Sequence, residues 1–177
     1  MGCIYLIGFM GTGKTTVAKA LRRKLCWETV DTDAWIVKKQ GCAISRIFEE
    51  KGEESFRRME TEALAEISAG AEKIVACGGG VAMREENRKL MKEHGTVVLL
   101  NAEPETVLQR VKHDHGRPLL EGRKNVAAIA ELMEARRASY ERAADIVVPV
   151  DGLGPEEIAE EIIREVPYLR EKWKENW

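Results

Sequence analysis

The sequence predicts an α/β fold in which a parallel sheet is covered by helices on both faces. Three observations lead to it. Short β-branched and apolar runs recur along the chain, stretches with helical apolar spacing separate them, and the first run ends in a glycine-rich loop that opens into a helical pattern. Parallel strands need crossover connections, and helical crossovers bury both faces of the sheet. At 177 residues the chain has the length of one domain and can bury a single sizeable core.

Residues 3–7 (CIYLI) form an apolar run that stops at Gly8, as a buried parallel strand does. Over 14–25, Val17, Ala18, Leu21 and Leu25 recur at helical spacing among basic residues. Further strands are predicted at 28–30, 74–77, 96–100 (TVVLL) and 146–150, and helices at 53–69, 84–92, 104–111, 126–142 and 155–166. Pro104 and Pro155 stand at helix starts, where a missing N–H costs nothing. Residues 112–125 (KHDHGRPLLEGRKN) are polar, basic and punctuated by glycine, which reads as a long mobile loop of the kind that serves as a lid. The terminal PYLREKWKENW carries two tryptophans and is expected either to dock on the body or to fray.

Composition narrows the functional classes. The chain is 44% hydrophobic and 33% charged, with 28 basic against 30 acidic residues. A net charge of −2 gives no global attraction to nucleic acid or to a membrane surface, so any anion site must be local. Cys3, Cys26, Cys42 and Cys77 show no CxxC spacing and suggest neither a zinc site nor a disulfide framework; reduced thiols are expected. Met1 leads straight into a strand with no basic n-region, and no apolar run approaches the ~20 residues that span a bilayer. A cytoplasmic protein is expected.

The motifs point to phosphoryl chemistry. Residues 8–15 read GFMGTGKT, a full match to GxxxxGK[ST] placed between a strand and a helix as the mechanism requires. Backbone N–H groups of such a P-loop wrap phosphates, aided by the positive end of the following helix. Lys14 would reach the β- and γ-phosphates of ATP, and the Thr15 hydroxyl would bind Mg²⁺. The next strand runs into Asp31-Thr32-Asp33, whose carboxylates strand alternation would send to one side, beside the P-loop. One would suit the metal and one an acceptor hydroxyl, although an aspartate N-cap for a following helix fits equally at such a junction. Gly78, Gly79 and Gly80 follow the third strand and allow close backbone approach, or simply a tight loop. Arg57 and Glu60 share one helix face, as an anion clamp or as an ordinary surface pair. Arg117, beside Gly116 in the loop, has the features of a lid arginine facing the transferring phosphoryl group; the neighbouring Lys112, His113, His115 and Arg123 suit phosphates or mere solubility.

These elements in this order resemble the shikimate kinase family from Ile4 to about Val166: the P-loop, the DTD, the FRRxE helix, the GGG, the RPLL lid segment, and Arg136 ahead of Tyr140. The resemblance implies a three-layer P-loop fold, similar to the nucleoside monophosphate kinases, with a five-stranded parallel sheet in the order 2-3-1-4-5. It divides the single domain into a core (1–33, 61–111, 125–166), a helical substrate-binding insertion (about 34–60), a lid (about 112–124) and a tail (167–177). The activity implied is transfer of the γ-phosphate of ATP to the 3-hydroxyl of shikimate, with Mg²⁺; a monomer is expected. Asp33 would meet the acceptor hydroxyl; Arg57 and Arg136 would pair the acceptor carboxylate; Gly78, Gly79 and Gly80 would line its pocket. Gly11, Thr12, Gly13, Lys14, Thr15 and Thr16 would hold the phosphates with Arg117, and Asp31 would hold the metal through water. Arg110 and Pro155 would flank the adenine. Phe48, Phe56, Glu60, Pro118 and Leu119 stand where the family surrounds or supports the substrate ring. The P-loop departs from many relatives in ending Thr-Thr, and the tail has no counterpart. A gluconokinase-like or nucleotide-kinase-like enzyme would share the P-loop and lid but would not need Arg57 and Arg136 to converge. A non-catalytic ATP-binding module would need a broken acceptor site.

Overall fold

A computed structural model of the chain describes residues 2–112 and 125–175. Five strands, β1 (Cys3–Ile7), β2 (Glu28–Asp31), β3 (Lys73–Ala76), β4 (Gly95–Asn101) and β5 (Ile146–Pro149), form one sheet in the order β2-β3-β1-β4-β5. Every neighbouring pair is parallel. β1 holds the centre and all five of its residues are buried, which explains its unbroken apolar run. The Tyr5 hydroxyl within it shares a 2.7 Å hydrogen bond with Ser68 Oγ.

The helices are α1 (Lys14–Leu25), α2 (Thr32–Gln40), α3 (Ile44–Ser68), α4 (Glu85–His94), α5 (Pro104–Val111), α6 (Val126–Ala143), α7 (Pro155–Glu165) and α8 (Pro167–Glu175), with a 3-10 turn at Val81–Met83. α1, α7 and α8 pack together as one layer, and α3, α4 and α6 as another, so helices cover both faces. The register sets the site: Asp31 stands opposite Ala76, and Ala76 opposite Leu6. The segments leaving β1, β2 and β3 therefore emerge side by side at the carboxyl edge of the sheet.

Three features depart from the sequence expectations. Thr32 and Asp33 open α2 rather than continuing the strand, so helix geometry and not strand alternation places Asp33. α2 lacks a strong periodic signal because only Thr32 and Ile36 of its nine residues are buried. α3 begins at Ile44 rather than at 53, as two helical stretches joined at Gly52, whose φ of 79° and ψ of 167° break the helix between them. The tail docks as α8: Leu169 is fully buried, Trp173 packs against the core, and Lys172 bonds Glu72 at 2.8 Å while its ammonium lies 5.7 Å from the Trp27 ring. No helix among the described residues is long and apolar enough to cross a membrane.

Leu169 is the apolar anchor of α8, so Leu169→Ala is expected to destabilise the protein by about 2–4 kcal/mol in urea denaturation. A loss under about 0.5 kcal/mol, the range of ordinary surface substitutions, would mean that α8 contributes nothing to the folded state.

Candidate active site

The P-loop (residues 8–15) runs from the end of β1 into α1. Gly11 and Gly13 take φ values of 78° and 95°, which residues with a Cβ rarely adopt, and Gly13 stands as the N-cap of α1. No side chain caps that end, which leaves its N–H groups and positive dipole facing the cleft. Lys14 Nζ reaches back across the loop to the carbonyls of Gly8 (2.8 Å) and Phe9 (3.0 Å). Thr12 behaves differently from its neighbours. It is buried and its hydroxyl donates to Phe9 O at 2.9 Å, so its side chain braces the loop itself.

Asp31 caps α2 and also reaches the P-loop. Its Oδ1 caps α2 by accepting from the Asp33 and Ala34 N–H groups, at 3.0 and 3.1 Å, and its Oδ2 accepts the Thr15 hydroxyl at 2.8 Å. With its proton turned to Asp31, Thr15 Oγ1 keeps its lone pairs for a cation. Hard oxygen donors from one hydroxyl and one carboxylate, next to a phosphate loop, suit Mg²⁺, which keeps most of its water and takes further ligands from substrate phosphates. Among the described residues no cluster of three or more His, Cys, Asp or Glu could hold a metal by itself.

The turn at residues 78–80 brings several charged groups together beside the P-loop. The Gly78 N–H donates to Thr32 Oγ1 at 2.8 Å, tying this turn to the start of α2. A Cβ on Gly78 would lie 2.5 Å from Asp33 Oδ1 and 3.1 Å from Glu60 Oε1, and a Cβ on Gly80 would collide with the Arg57 guanidinium. The glycines are there because charged groups occupy the space. Arg57 approaches from α3, bonded to Glu60 at 2.7 Å and Glu53 at 3.1 Å. Glu60 is buried, whereas the Glu53 side chain is 61% exposed, so Glu60 is the fixed partner and Glu53 the one an incoming anion can replace. Arg136 approaches from α6, its Nη1 donating to Gly79 O at 3.4 Å and its guanidinium 5.7 Å from the Phe9 ring. Burial pushes the Glu60 carboxyl up to about 7; Arg57 opposes the rise, and the nearby Asp33 charge adds to it.

Gly11, Gly13, Lys14, Thr15, Thr16, Asp31, Asp33, Gly78, Gly79 and Arg110 line one cleft of about 340 Å³. Arg110 is placed by its 3.2 Å bond to Gly11 O. Pro155 does not line the cleft; it opens α7 and stays exposed. The segment before it carries Asp151, whose carboxyl feels the Arg110 charge. Burial would raise that carboxyl, but Thr106, the Glu103 N–H and Arg110 together bring it below its ordinary value. Arg117, Pro118, Leu119, His113, His115 and Arg123 lie outside the described residues. A wider hollow of about 880 Å³ opens at the amino edge of the sheet, beside Cys3, Glu28 and Gly95, but neither the P-loop nor the 78–80 turn borders it. Sequence reasoning missed Thr32, Asn87 and Arg88. Asn87 Nδ2 and Arg88 Nη1 hold the turn by bonding the carbonyls of Val81, Ala82 and Met83, and no local pattern marks them.

Comparison with known proteins gives a consistent result. A family model described as shikimate kinase matches residues 10–167. The shikimate kinase of Thermodesulfovibrio yellowstonii is 43% identical over 94% of this chain and 95% of its own, and that of Bacillus anthracis is 46% identical over 81% and 86%. The solved structure of shikimate kinase from Acinetobacter baumannii in complex with shikimate superposes with a TM-score of 0.89 at 34% identity, covering 93% of this chain and 92% of that one.

The raised Glu60 carboxyl has a consequence for stability. Because the folded chain holds this proton more tightly than the unfolded one, the contribution is fully present below pH 4.5 and is lost as pH rises through about 7. Urea denaturation of the wild type against Glu60→Gln should show the wild type's advantage shrinking between pH 5 and 8, by at most roughly 2–3 kcal/mol. A difference that does not change with pH would mean that Glu60 is ionised throughout.

Proposed function

Since the chain belongs to the shikimate kinase family, we propose that its cleft transfers the γ-phosphate of ATP to the 3-hydroxyl of shikimate, giving shikimate 3-phosphate and ADP. The observation that carries this reading is the approach of Arg57 and Arg136, from α3 and α6, to one glycine turn that also borders Asp33 and the P-loop cleft. A small hydroxylated acid needs that combination: guanidinium forks for its carboxylate and a carboxylate facing its hydroxyl. A nucleotide acceptor asks for different anchors, and a module that only binds ATP has no use for them; gluconate, also a hydroxylated acid, is separated by the acceptor assay below.

In this reading the backbone of residues 11–16 and Lys14 hold the ATP phosphates, and Arg110 lies against the adenine with the segment that reaches Pro155. Thr15, and Asp31 through water, would hold Mg²⁺, which when bound would offset the charge of the phosphates. Arg57, released from Glu53 and still held by Glu60, pairs the acceptor carboxylate together with Arg136. Asp33 accepts a hydrogen bond from the 3-hydroxyl and aims its oxygen in line with the γ-phosphorus. The new P–O bond forms as the bond to the β,γ-bridging oxygen breaks, ADP leaves with that electron pair, and the hydroxyl proton departs on the side of Asp33. Arg117 and the rest of the 112–124 lid, which beyond Lys112 lies outside the described residues, would offset charge on the transferring group and keep competing water from the phosphate, and the 34–60 region would bind the acceptor. We assign the protein to the cytoplasm as a monomer.

ADP release by the purified protein with Mg-ATP should require shikimate and should stay at background with gluconate, a nucleoside monophosphate or no acceptor. Turnover with another acceptor would keep the kinase and replace its substrate. Asp33→Asn is expected to keep ATP affinity and lose kcat on the order of 10²-fold or more. Near-normal turnover in that variant would remove Asp33 from the mechanism.

A further inference from the structure

Tyr140 is 5% exposed and its hydroxyl donates to Gly79 O at 2.7 Å. Three successive glycines form this turn, so no Cβ restrains its peptide planes. Two of the three carbonyls are held by the turn itself: Val81 N–H donates to Gly78 O and Met83 N–H to Gly80 O, each at 3.0 Å. The middle carbonyl, Gly79 O, takes no part in either bond. Its partners are Tyr140 and Arg136, and the Arg136 contact is long at 3.4 Å. Because the peptide is planar and trans, the direction of Gly79 C=O also fixes that of the Gly80 N–H, which points the opposite way. Tyr140 and Arg136 stand four residues apart on α6, on one helix face. Burial pushes the Tyr140 phenol up, which keeps it a donor at neutral pH.

We propose that Tyr140 is a positioning residue for the acceptor: its hydroxyl locks the Gly79 carbonyl, and that carbonyl in turn sets the Arg136 guanidinium over the Phe9 ring in the orientation that receives the acceptor's carboxylate. The proposal rests on shikimate being the acceptor. Removing the hydroxyl leaves the ring packed but frees the middle peptide plane of the turn, so Arg136 loses its fixed acceptor and the carboxylate must order the pair as it binds.

The test is Tyr140→Phe, with shikimate affinity measured by calorimetry and both KM values by ADP release. One buried hydrogen bond corresponds to about a 10-fold effect. The expected result is a rise of about 10-fold in the Kd and KM for shikimate, with the KM for ATP unchanged. In an Arg136→Met background, where there is no guanidinium to position, the same substitution should weaken shikimate binding less than twofold. Unchanged shikimate affinity in Tyr140→Phe, an equal rise in both KM values, or full additivity with Arg136→Met would each overturn the proposal. Failure of the wild type itself to bind or turn over shikimate would overturn the reading of the substrate, and the positioning role with it.

Discussion

The pairing register of the sheet sets Asp31 level with Ala76 and Leu6, and the chemistry at the carboxyl edge depends on that alignment. The P-loop, the start of α2 and the 78–80 turn are three segments from distant parts of the sequence. They meet because each leaves its strand at the same height. The Gly78 N–H to Thr32 bond then fastens two of them, and the Thr15 to Asp31 bond fastens the third. A slip of one residue in β3 would reverse which of its side chains face each layer, so the buried Ile74, Val75 and Ala76 protect the register as much as they fill the core.

Around this edge the protein holds several like and unlike charges close together. Glu60, Asp33 and Arg57 all border the same glycine turn, and Glu60 is nearly withdrawn from water. Burial outweighs the arginine's attraction, so the carboxyl sits near the middle of the physiological range rather than being firmly ionised. The ion pair does not serve mainly to stabilise the fold. It keeps a guanidinium extended toward the turn on a helix whose other partner for it, Glu53, is exposed and exchangeable.

On the other face, α1 and α7 are joined by ion pairs from Arg23 to Glu156 and from Lys24 to Glu160, and α8 extends this layer past the amino end of β2. Exposed pairs of this kind contribute little individually. The apolar contacts beneath them, from Ile158, Ile162, Val166 and Leu169, are what keep the P-loop helix fixed while the opposite layer carries Arg57 and Arg136.

Much of this was legible in the sequence, because the signals were local. The strand-loop-helix order, the phosphate loop and the sites of closest backbone approach each depend on residues near one another in the chain. Residues 8–15, the DTD and the three glycines therefore announced themselves. The same locality explains the failures. The broken helix at 44–51 depends on neighbours far along the chain, and the periodic signal of α2 is weak because only two of its residues face the core; for the tail, local signals left docking and fraying both open, and the packed chain decided for docking. Strand alternation was the wrong reason for bringing Asp31 and Asp33 together, since a capped helix start achieves it instead. Only the tertiary structure decided that Glu60 is buried beside Asp33, that Thr32 and Tyr140 hold a glycine turn 46 and 61 residues away, and that Thr12 turns inward. Burial and long-range hydrogen bonding are properties of the packed chain, and a residue's type gives no sign of which distant carbonyl it will meet.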